Sequence, residues 1–373
     1  MKILHVITTL YTGGAEKLMV DLLPRLRDMG HQVELCVFDS TKTAFYDCLI
    51  ESGIKVHSVA SAGGYYSPLC LMKLTKLMRQ GWDIVHTHTT APQMYAAIGG
   101  LFCNAHLVTT EHNTTNTRRE LWWYKPIDKW MFRQYEKHIM ISDQCEANHI
   151  AYLGPENCKN ITMVYNGIDY HKYASAAPAS DVRELGEKII SFVAAFRPQK
   201  DQPTLIKAMQ YLPENFHLCL VGGGNDERKA LFESMIKELN LQGRVHLLGI
   251  RNDIPNVLAA SDYVAMSSHF EGLSLASLEG MSSGKPFLAS DVDGLHEIVD
   301  GNGILFEHEN AKAFADAILK LDSDATYKQS VIEKCQAKAI QYDINVMADK
   351  YMAVYNEVVK NENISCRSQF IYS

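Results

Sequence analysis

The sequence predicts an α/β protein with two domains, each built on a parallel sheet. Short apolar segments rich in β-branched residues alternate with helical segments, and this alternation begins at residue 2 and begins again near residue 189. Several predicted strands lead into turns of glycine or other small residues, the positions at which parallel sheets bind ligands. At 373 residues the chain is also longer than one common domain, so two domains are expected.

Composition and charge narrow the functional classes. The formal net charge of −7, from 43 acidic and 36 basic residues, argues against a general nucleic-acid-binding protein. The nine cysteines are scattered without a C-x-x-C pair, which favours free thiols in a reducing compartment over disulfides or a zinc site. No apolar segment is long enough to span a bilayer, and the N-terminal segment is typical of a strand rather than a signal peptide. We therefore expect a cytoplasmic protein.

The first half opens with a β-α-β unit. Residues 2–8 predict a strand, Gly13 and Gly14 a turn, and the following apolar pattern a helix that ends at Gly30. The pattern G-x-G-x-x-G is missing, so the two glycines by themselves indicate no more than a tight turn.

Two further strands, over residues 83–88 and 107–112, each end in a histidine. The carboxyl end of a parallel strand faces a ligand cleft, so His88 and His112 are expected to line one. His86 shares a strand face with His88, and together with Glu111 these histidines form a conceivable metal site. No H-E-x-x-H pattern accompanies them, and we expect no metal.

Residues 117–138 hold three of the four tryptophans and more basic than acidic residues. A helix that starts at Pro126 would place Lys129, Arg133 and Lys137 on one face. An apolar face would be formed by Ile127, Trp130, Met131 and Tyr135. The segment is either a core-packed helix with a solvated charged side or a contact with an anionic membrane or a lipid-diphosphate acceptor.

Residues 262–290 carry the most chemistry in the second half. Residues 262–266 predict a buried strand, a loop of small residues follows, and a helix is expected from Ser274. The start of that helix offers unpaired N–H groups to a phosphate. Glu271 before it and Glu279 within it can accept hydrogen bonds from sugar hydroxyls. The arrangement suits a nucleotide sugar, although two solvated carboxylates on an ordinary β-α unit would give the same spacing.

Cations and glycines follow the neighbouring strands. Arg197 and Lys200 come after the predicted strand 189–196, and two cations at a strand-to-helix turn can hold a diphosphate. Two solvated cations are the ordinary alternative. Gly222 and Arg251 follow the next two predicted strands.

Taken in order, these motifs resemble those of glycosyltransferase family 4, whose members are retaining enzymes with the GT-B fold. The E-x7-E signature of that family falls on Glu271 and Glu279, and Asn-Gly-Ile-Asp at residues 166–169 resembles the motif at the end of its first domain. Where the family commonly has an arginine, this chain has Ala195, and Arg197 is inferred to replace it. The resemblance extends over nearly the whole chain.

The resemblance also implies roles for single residues. Gly13 and Gly14 are similar to a glycine pair that lies against the donor, His112 to a histidine beside the reacting sugar, and the loop of Arg251 to one that meets the base. The implied catalytic residues are Glu271, His112, Lys200 and Arg197. The implied donor-binding residues are Gly13, Gly14, Arg197, Lys200, Gly222, Arg251, Glu271, Gly272, Leu273, Ser274, Leu275 and Glu279. No metal and no cofactor is expected, and Asp291-Val292-Asp293 is interpreted as a chance match to the D-x-D metal motif of another glycosyltransferase fold.

The implied architecture is GT-B, with two Rossmann-like β/α/β domains facing an interdomain cleft. Residues 1–172, joined by a crossing helix at about 344–373, would form the acceptor side, and residues 173–343 would bind the nucleotide sugar, with residues 173–188 as the linker. The implied reaction is retaining transfer of a hexose or N-acetylhexosamine, from a UDP-sugar first and GDP-mannose next, to a saccharide or lipid-linked acceptor in cell-surface polysaccharide synthesis. The enzyme would be cytoplasmic and peripheral on the inner face of the cytoplasmic membrane.

Two alternatives remain open from the sequence. A GT-B nucleotide-sugar epimerase would turn over the donor without an acceptor. A non-catalytic partner subunit would bind a nucleotide sugar without turnover.

Overall fold

The structure, a computed structural model, describes residues 1–11, 13–61, 64–112, 121–271 and 274–369, with the backbone only for residues 361–369. The chain divides into two compact units, Met1–Gly167 with Ile344–Ser373, and Ile168–Asp343. Each unit is built on one parallel sheet, as the alternating pattern predicts.

Among the described residues, thirteen strands form the two sheets. The first sheet contains β1 (Lys2–Ile7), β2 (Gln32–Val37), β3 (Lys55–Ser58), β4 (Ile84–Thr87), β5 (His106–Glu111), β6 (Lys137–Met140) and β7 (Ile161–Met163). The second contains β8 (Lys188–Val193), β9 (Phe216–Val221), β10 (Val245–Gly249), β11 (Tyr263–Met266), β12 (Phe287–Ser290) and β13 (Ile304–Phe306).

The α-helices of the described residues connect and cover these strands. In chain order they are α1 (Gly14–Asp28), α2 (Ala44–Glu51), α3 (Pro68–Met78), α4 (Thr90–Gly100), α5 (Tyr124–Phe132), α6 (Asp143–Leu153), α7 (Tyr170–Ala174), α8 (Ser180–Arg183), α9 (Gln202–Ala208), α10 (Asp226–Glu238), α11 (Ile254–Ala260), α12 (Leu275–Ser282), α13 (His296–Val299), α14 (Ala311–Ser323), α15 (Ala325–Ala339) and α16 (Ile344–Gln369). None of them, over the part of the chain that is described, is long and apolar enough to cross a membrane.

Both sheets reverse their strand order at one point. The orders are β3-β2-β1-β4-β5-β6-β7 and β10-β9-β8-β11-β12-β13, with parallel pairing throughout. The reversal lies between β1 and β4 in the first sheet and between β8 and β11 in the second. Two crossover connections leave such a point in opposite directions, so a crevice opens outside the strand ends, where α/β proteins bind ligands.

The helix α16 returns to the first unit and packs against α1. The apolar residues that the sequence places at helical spacing are buried there, namely Met347, Tyr351, Tyr355 and Val358. The periodicity of this last segment therefore correctly indicates a helix with one core-facing stripe.

Residues 173–188 do not form the linker that the sequence predicts. Tyr173 lies in α7 and Val182 lies in α8, and both side chains are buried in the second unit. Such short helices contribute only isolated apolar residues, here among Ala, Ser and Pro. Their contacts with the core therefore cannot be recognised from the sequence. The boundary also lies earlier than residue 172, because Ile168 bridges Asp343 and its N–H donates to the Tyr342 carbonyl at 2.9 Å.

Candidate functional site

Two loops run side by side at the switch point of the second sheet. One follows β8 and the other follows β11, its neighbour in the sheet. Lys200 forms an antiparallel bridge with Ser268, and the Asp201 N–H donates to the Ser267 carbonyl at 2.9 Å. The Ser267 hydroxyl in turn donates to the Asp201 carboxylate at 3.0 Å. These bonds align the two loops and bring their side chains together.

The alignment joins two of the residues that the sequence nominates for catalysis. Lys200 Nζ and Glu271 Oε1 form an ion pair, and their side chains are only 15% and 7% exposed. The Glu271 backbone N–H donates to the Asp293 carbonyl at 3.1 Å, so a third loop fixes the main chain that carries this carboxylate. An ammonium has three N–H donors and a carboxylate about four acceptor positions, so the pair retains capacity for a ligand.

The helix α12 begins beside this pair, as the sequence predicts. Ser274 is the N-cap residue, but its hydroxyl donates to Met266 Sδ at 3.5 Å and caps no N–H of the described residues. Leu275 is the first helical residue, and Glu279 is buried within the helix at 6% exposure. Two predicted donor-binding positions, Gly272 and Leu273, lie outside the described residues.

Arg197 points to a different part of the same unit. It is exposed, and it lines a cavity of about 870 Å³ together with Gly223, Gly224 and Arg228 at the start of α10. Among the described residues its side chain makes no ion pair, in contrast to the paired Lys200. The two cations therefore have different surroundings, although they are only three positions apart in the sequence.

Gly222 has a structural reason to be glycine. Its φ is +146°, and a Cβ atom there would overlap the carbonyl of Ala194, the residue that follows β8. Its N–H donates to the Gly249 carbonyl at 2.8 Å. The close approach of two backbones thus accounts for this glycine without a ligand.

Arg251 is engaged by carboxylates of its own unit. The guanidinium donates to both oxygens of Asp253, at 2.8 and 2.6 Å, and also to both oxygens of Asp181. These hydrogen bonds raise the pKa of Arg251 and lower the pKa values of both aspartates. Arg251 ties α8 to the loop before α11, so its guanidinium is already occupied in this structure.

The two predicted glycines of the first unit stand at the start of α1. Gly13 is the N-cap residue and Gly14 the first helical residue of α1, the helix that follows the switch-point strand β1 in the chain. A Cβ at Gly13 would collide with the end of the Glu16 side chain, whose own carboxyl has its pKa raised by burial. This contact involves only the flexible end of a side chain, so it gives no structural reason for a glycine at residue 13.

His112 directly follows β5 and belongs to a cluster of imidazoles. Its Nε2 lies 3.0 Å from His88 Nδ1, and His88 Nε2 lies 2.9 Å from His5 Nδ1. His112 Nδ1 is buried and has no hydrogen-bond partner among the described residues. Burial lowers the pKa of His112 to about 4, so the ring is neutral at pH 7. The sequence analysis missed His5, because no local pattern shows that β1 pairs with β4.

The same cluster contains a possible set of metal ligands, but its members differ from those that the sequence suggests. Nitrogens of His5, His86 and His88 lie within 4.8 Å of one another, without Glu111. Both nitrogens of His86 are engaged, by the Tyr355 hydroxyl at 2.6 Å and the Thr110 hydroxyl at 2.8 Å. Hydrogen bonds within the core thus explain why these ring nitrogens lie close together.

Both aspartates of the Asp-Val-Asp sequence contact other residues of the same unit. Asp291 lies 2.6 Å from His296 Nδ1, and the Asp293 carbonyl holds the Glu271 N–H. Nearby, the Gly294 N–H donates to Glu297 at 2.7 Å, which closes the turn before α13.

The tryptophan-rich segment is described from residue 121 onward, and it differs from the expected helix. The helix α5 begins at Tyr124, so Pro126 lies within its first turn, and it ends at Phe132. Lys137 therefore belongs to β6 and pairs with Glu357 at 2.7 Å, which corrects the predicted basic face. Met131 and Tyr135 are buried.

Five other apolar side chains of this segment are exposed. The exposed residues, with their exposed fractions, are Leu121 (44%), Trp122 (84%), Trp123 (47%), Ile127 (40%) and Trp130 (39%). We call these five residues the aromatic patch. Lys129 lies in α5 and pairs with Glu156 at 3.3 Å, and Arg133, which directly follows the helix, donates to Asn157 at 3.0 Å. The segment is thus partly core and partly an exposed apolar surface.

Comparison with known proteins gives matches along the chain. The model of glycosyltransferase family 4 matches residues 12–172, and the model of glycosyl transferases group 1 matches residues 176–338. A galactosyltransferase of Escherichia coli, named UDP-Gal:alpha-D-GlcNAc-diphosphoundecaprenol alpha-1,3-galactosyltransferase, is 29% identical over 78% of this chain and 80% of its own length. An N-acetylgalactosaminyltransferase of Campylobacter jejuni, named for N,N'-diacetylbacillosaminyl-diphospho-undecaprenol, is 27% identical over 61% of this chain and 62% of its own length.

Solved structures agree on the fold. The Anabaena protein HepE, crystallised with UDP-glucose, superposes with a TM-score of 0.81 at 24% identity, over 96% of this chain and 100% of its own. Both units thus have the α/β architecture of GT-B glycosyltransferases. With two family models that together span most of its length, the chain belongs to the family 4 glycosyltransferases.

Proposed function

We propose that this glycosyltransferase transfers a hexose or N-acetylhexosamine from a UDP-sugar, with retention and without a metal, to a saccharide or lipid-linked acceptor of cell-surface polysaccharide synthesis. The observation that carries the proposal is the Lys200–Glu271 pair at the β8/β11 switch point, next to the start of α12. An ammonium, a carboxylate and a helix N-terminus converge there, and a nucleotide sugar has a matching phosphate and hydroxyls.

The charges of the pair suit the charges of the reaction. Negative charge grows on the departing diphosphate, where the free N–H bonds of Lys200 and the first N–H groups of α12 would stabilise it. Positive charge grows on the sugar ring, as in glycoside hydrolysis, and Glu271 would accept hydrogen bonds from its hydroxyls. Because cationic side chains and a helix dipole supply the electrostatic term, no metal is needed, and no cofactor is required.

The other donor residues take supporting roles in this proposal. Glu279 would hold the ribose, and Arg197, exposed beside its cavity, would reach the diphosphate. Arg251 would shape the loop that meets the base, since two aspartates already hold its guanidinium. Gly13 and Gly14 would let backbone approach the donor, and Gly222 would keep the neighbouring turn tight.

The acceptor is proposed to be linked to a membrane lipid. Two of the relatives are named for diphosphoundecaprenol acceptors. The aromatic patch exposes three tryptophans beside Lys129 and Arg133, and tryptophan with basic residues favours the surface of an anionic bilayer. We therefore place the enzyme at the cytoplasmic face of the membrane, as a peripheral protein.

The test begins with ligand binding. The melting temperature of the purified full-length chain is measured with UDP, GDP, ADP and CMP, each with and without EDTA. A ligand that binds only the folded protein raises the melting temperature by mass action. The proposal expects a selective shift with UDP that EDTA leaves unchanged, whereas a shift that needs a divalent ion would overturn metal independence.

Transfer is then followed with UDP-galactose, UDP-N-acetylgalactosamine and UDP-glucose and a short-chain polyprenyl-diphosphate saccharide. The anomeric configuration of the product is determined by NMR, and an inverted linkage would refute retention. Donor turnover without acceptor would favour the epimerase alternative. Nucleotide binding without turnover of any donor would favour a partner subunit.

A further inference from the structure

Three side chains that can bind a metal ion converge in the second unit. His269 lies in the loop after β11, and His308 and Glu309 lie in the loop after β13. Strand β12 lies between these two strands in the sheet, so the three residues join loops of strands that are not direct neighbours. His269 Nδ1 lies 2.8 Å from His308 Nε2 and 3.6 Å from Glu309 Oε1. We call these three residues the His-His-Glu cluster.

The chemistry of this cluster suits a zinc ion. Two imidazole nitrogens and one carboxylate oxygen are a ligand set that Zn²⁺ uses in proteins, with water in the fourth position. The three ligand atoms all lie within 4.8 Å of one another. With bonds of about 2.0–2.2 Å to the metal, the ligands of a tetrahedral ion lie roughly 3.3–3.5 Å apart. Movements of about 1 Å at the side-chain ends would therefore bring the three atoms around one ion.

The histidines of the first unit do not offer the same possibility. His5, His86 and His88 are buried, and their group of ligand atoms contains no carboxylate, so an ion there would bring two positive charges into the core. In the His-His-Glu cluster, Glu309 supplies a negative charge. The side chains of His269 and Glu309 are 35% and 63% exposed, so an ion can enter from solvent and keep a water ligand.

The hydrogen bond between the two imidazoles is compatible with metal binding. When no ion is bound, one of the two rings places its proton between His269 Nδ1 and His308 Nε2. A neutral imidazole can carry its single proton on either ring nitrogen. The donating ring can thus exchange this proton through solvent for one on its other nitrogen, and the ion takes its place. Both rings remain neutral, so no net release of a proton is required.

The backbone holds the cluster from both sides. The His269 N–H donates to the Gln199 carbonyl at 2.9 Å, which fixes the loop after β11. Glu309 has a φ of +59°, a left-handed conformation that residues with a side chain seldom adopt. The next residue, Asn310, is the N-cap of α14. The turn before α14 therefore presents the Glu309 carboxylate to His269 from a defined position.

We propose that the His-His-Glu cluster binds Zn²⁺ through His269 Nδ1, His308 Nε2 and a carboxylate oxygen of Glu309. Imidazole ligands favour Zn²⁺ and related transition ions such as Co²⁺, whereas Mg²⁺ and Ca²⁺ prefer oxygen ligands alone. The bound ion links the loop after β11 to the loop before α14. None of the three ligands belongs to the proposed donor site, and the ion takes no part in the proposed transfer. The inference is therefore independent of the proposed function.

Metal binding is measured on the full-length protein after dialysis against EDTA and then against metal-free buffer. Titration with Co²⁺ at pH 7 should give the visible absorption of a four- or five-coordinate site, without a thiolate-to-metal band in the near ultraviolet. Equimolar Zn²⁺ should displace the Co²⁺, and an excess of Mg²⁺ should not. A missing visible band, or a thiolate band that assigns the ion to a cysteine, would overturn the proposal.

Variants locate the site. His308→Gln and Glu309→Gln each remove one ligand, and we expect the affinity for Zn²⁺ to fall by at least about tenfold in both. His246→Gln is the matched control. His246 Nε2 lies 3.2 Å from His217 Nδ1 in the same unit, and among the described residues this pair belongs to no group of three ligand atoms. Equal Zn²⁺ affinity in His308→Gln and the wild type would refute the assignment.

A further variant separates loss of the metal from loss of the fold. Glycine adopts a positive φ without strain, so Glu309→Gly should melt in EDTA at least as high as the wild type. Zn²⁺ should raise the Tm of the wild type by mass action and leave that of Glu309→Gly unchanged. An equal rise in both would exclude Glu309 as a ligand and contradict the proposal.

Nucleotide binding distinguishes this site from the proposed function. In EDTA, UDP should raise the Tm of Glu309→Gln as much as that of the wild type. Zn²⁺ binding without nucleotide binding would count against the proposed function and leave the metal site standing. Nucleotide binding without Zn²⁺ binding would refute the metal site alone.

Discussion

Lys200 and Glu271 form a partly buried ion pair across two neighbouring strand ends, although 71 positions separate them in the sequence. The loops that carry them pair through backbone hydrogen bonds, so the ion pair is part of a rigid arrangement. Charges held in place before the reaction stabilise a transition state without the cost of reorganisation. The pair thus combines a structural role with a proposed catalytic one, and experiments can separate the two.

Removal of one partner should destabilise the second unit. Lys200→Met leaves a buried carboxylate without its cation, and we expect the free energy of unfolding to fall by about 3–5 kcal/mol. The double variant Lys200→Met/Glu271→Gln removes both charges and should recover much of that loss. Transfer should stay at least about 100-fold below wild type in both. Urea titration and initial rates measure the two effects, with Lys207→Met on the exposed face of α9 as control.

A Lys200→Met protein with wild-type transfer would exclude the pair from catalysis. A double variant no more stable than the single one would show that the pair is not the source of the loss.

Arg251 should affect stability through its two carboxylates. We expect Arg251→Ala to lower the Tm, and Asp181→Asn to lower it less, because Asp253 still holds the guanidinium. The KM for the donor should change more in Arg251→Ala than in Asp181→Asn, because the loop, rather than the guanidinium, would contact the nucleotide. Thermal melts and donor titrations test this. An Arg251→Ala protein with unchanged Tm and a raised KM would instead assign the guanidinium to direct contact.

Gly222 should not tolerate a side chain. Gly222→Ala would force Cβ against the Ala194 carbonyl at a positive φ, and we expect a loss of about 1–3 kcal/mol or more in the free energy of unfolding. Gly243→Ala is the control, because no described atom lies within 4 Å of its added Cβ and no positive φ is involved. Equal stability of the two variants, measured by urea unfolding, would contradict the close approach of the two strands.

Acid should weaken the first unit through its buried histidines. The unfolded chain protonates His112 near pH 6.5, the folded protein only near pH 4, so between these values the unfolded state binds more protons. Stability contributed by the neutral ring is complete above pH 6.5 and is lost as the pH falls. We expect the wild type to lose up to about 1.4 kcal/mol per pH unit more than His112→Gln in this window.

Urea unfolding at pH 7, 6 and 5 measures this difference, with the exposed His171→Gln as control. Parallel pH profiles for wild type and His112→Gln would show that His112 does not titrate as described.

The aromatic patch should bind anionic bilayers. Replacing Trp122, Trp123 and Trp130 by serine should reduce binding to vesicles of phosphatidylglycerol and phosphatidylcholine by at least about tenfold. Tyr211→Ser, which changes an aromatic residue of the second unit that is 52% exposed, is the control. Flotation at low and high salt measures binding, and charge reversal at Lys129 and Arg133 should weaken it mainly at low salt. Equal flotation of the wild type and the triple tryptophan variant would exclude the patch as the contact.

The sequence by itself determined the alternation of strands and helices, because that alternation is written in local periodicity and in turn residues. The strand predicted over residues 262–266 and the helix start after Ser274 lie where these patterns predict them. Lys200, Glu271 and His112 could be nominated in the same way, since each follows a recognisable strand. The resemblance to glycosyltransferase family 4 then connected these local observations with one function.

Only the tertiary structure decided which of these residues meet and which are already engaged. Arg251 was assigned to a ligand because a local turn pattern cannot show Asp181, which is 70 positions away in the sequence. His5 was missed because its partner His88 is brought beside it by the insertion of β4 next to β1. Met131 is buried and Trp130 exposed, although both fit one apolar face in the sequence. Strand order and burial depend on contacts between distant segments, and these contacts leave no periodic signal in the chain.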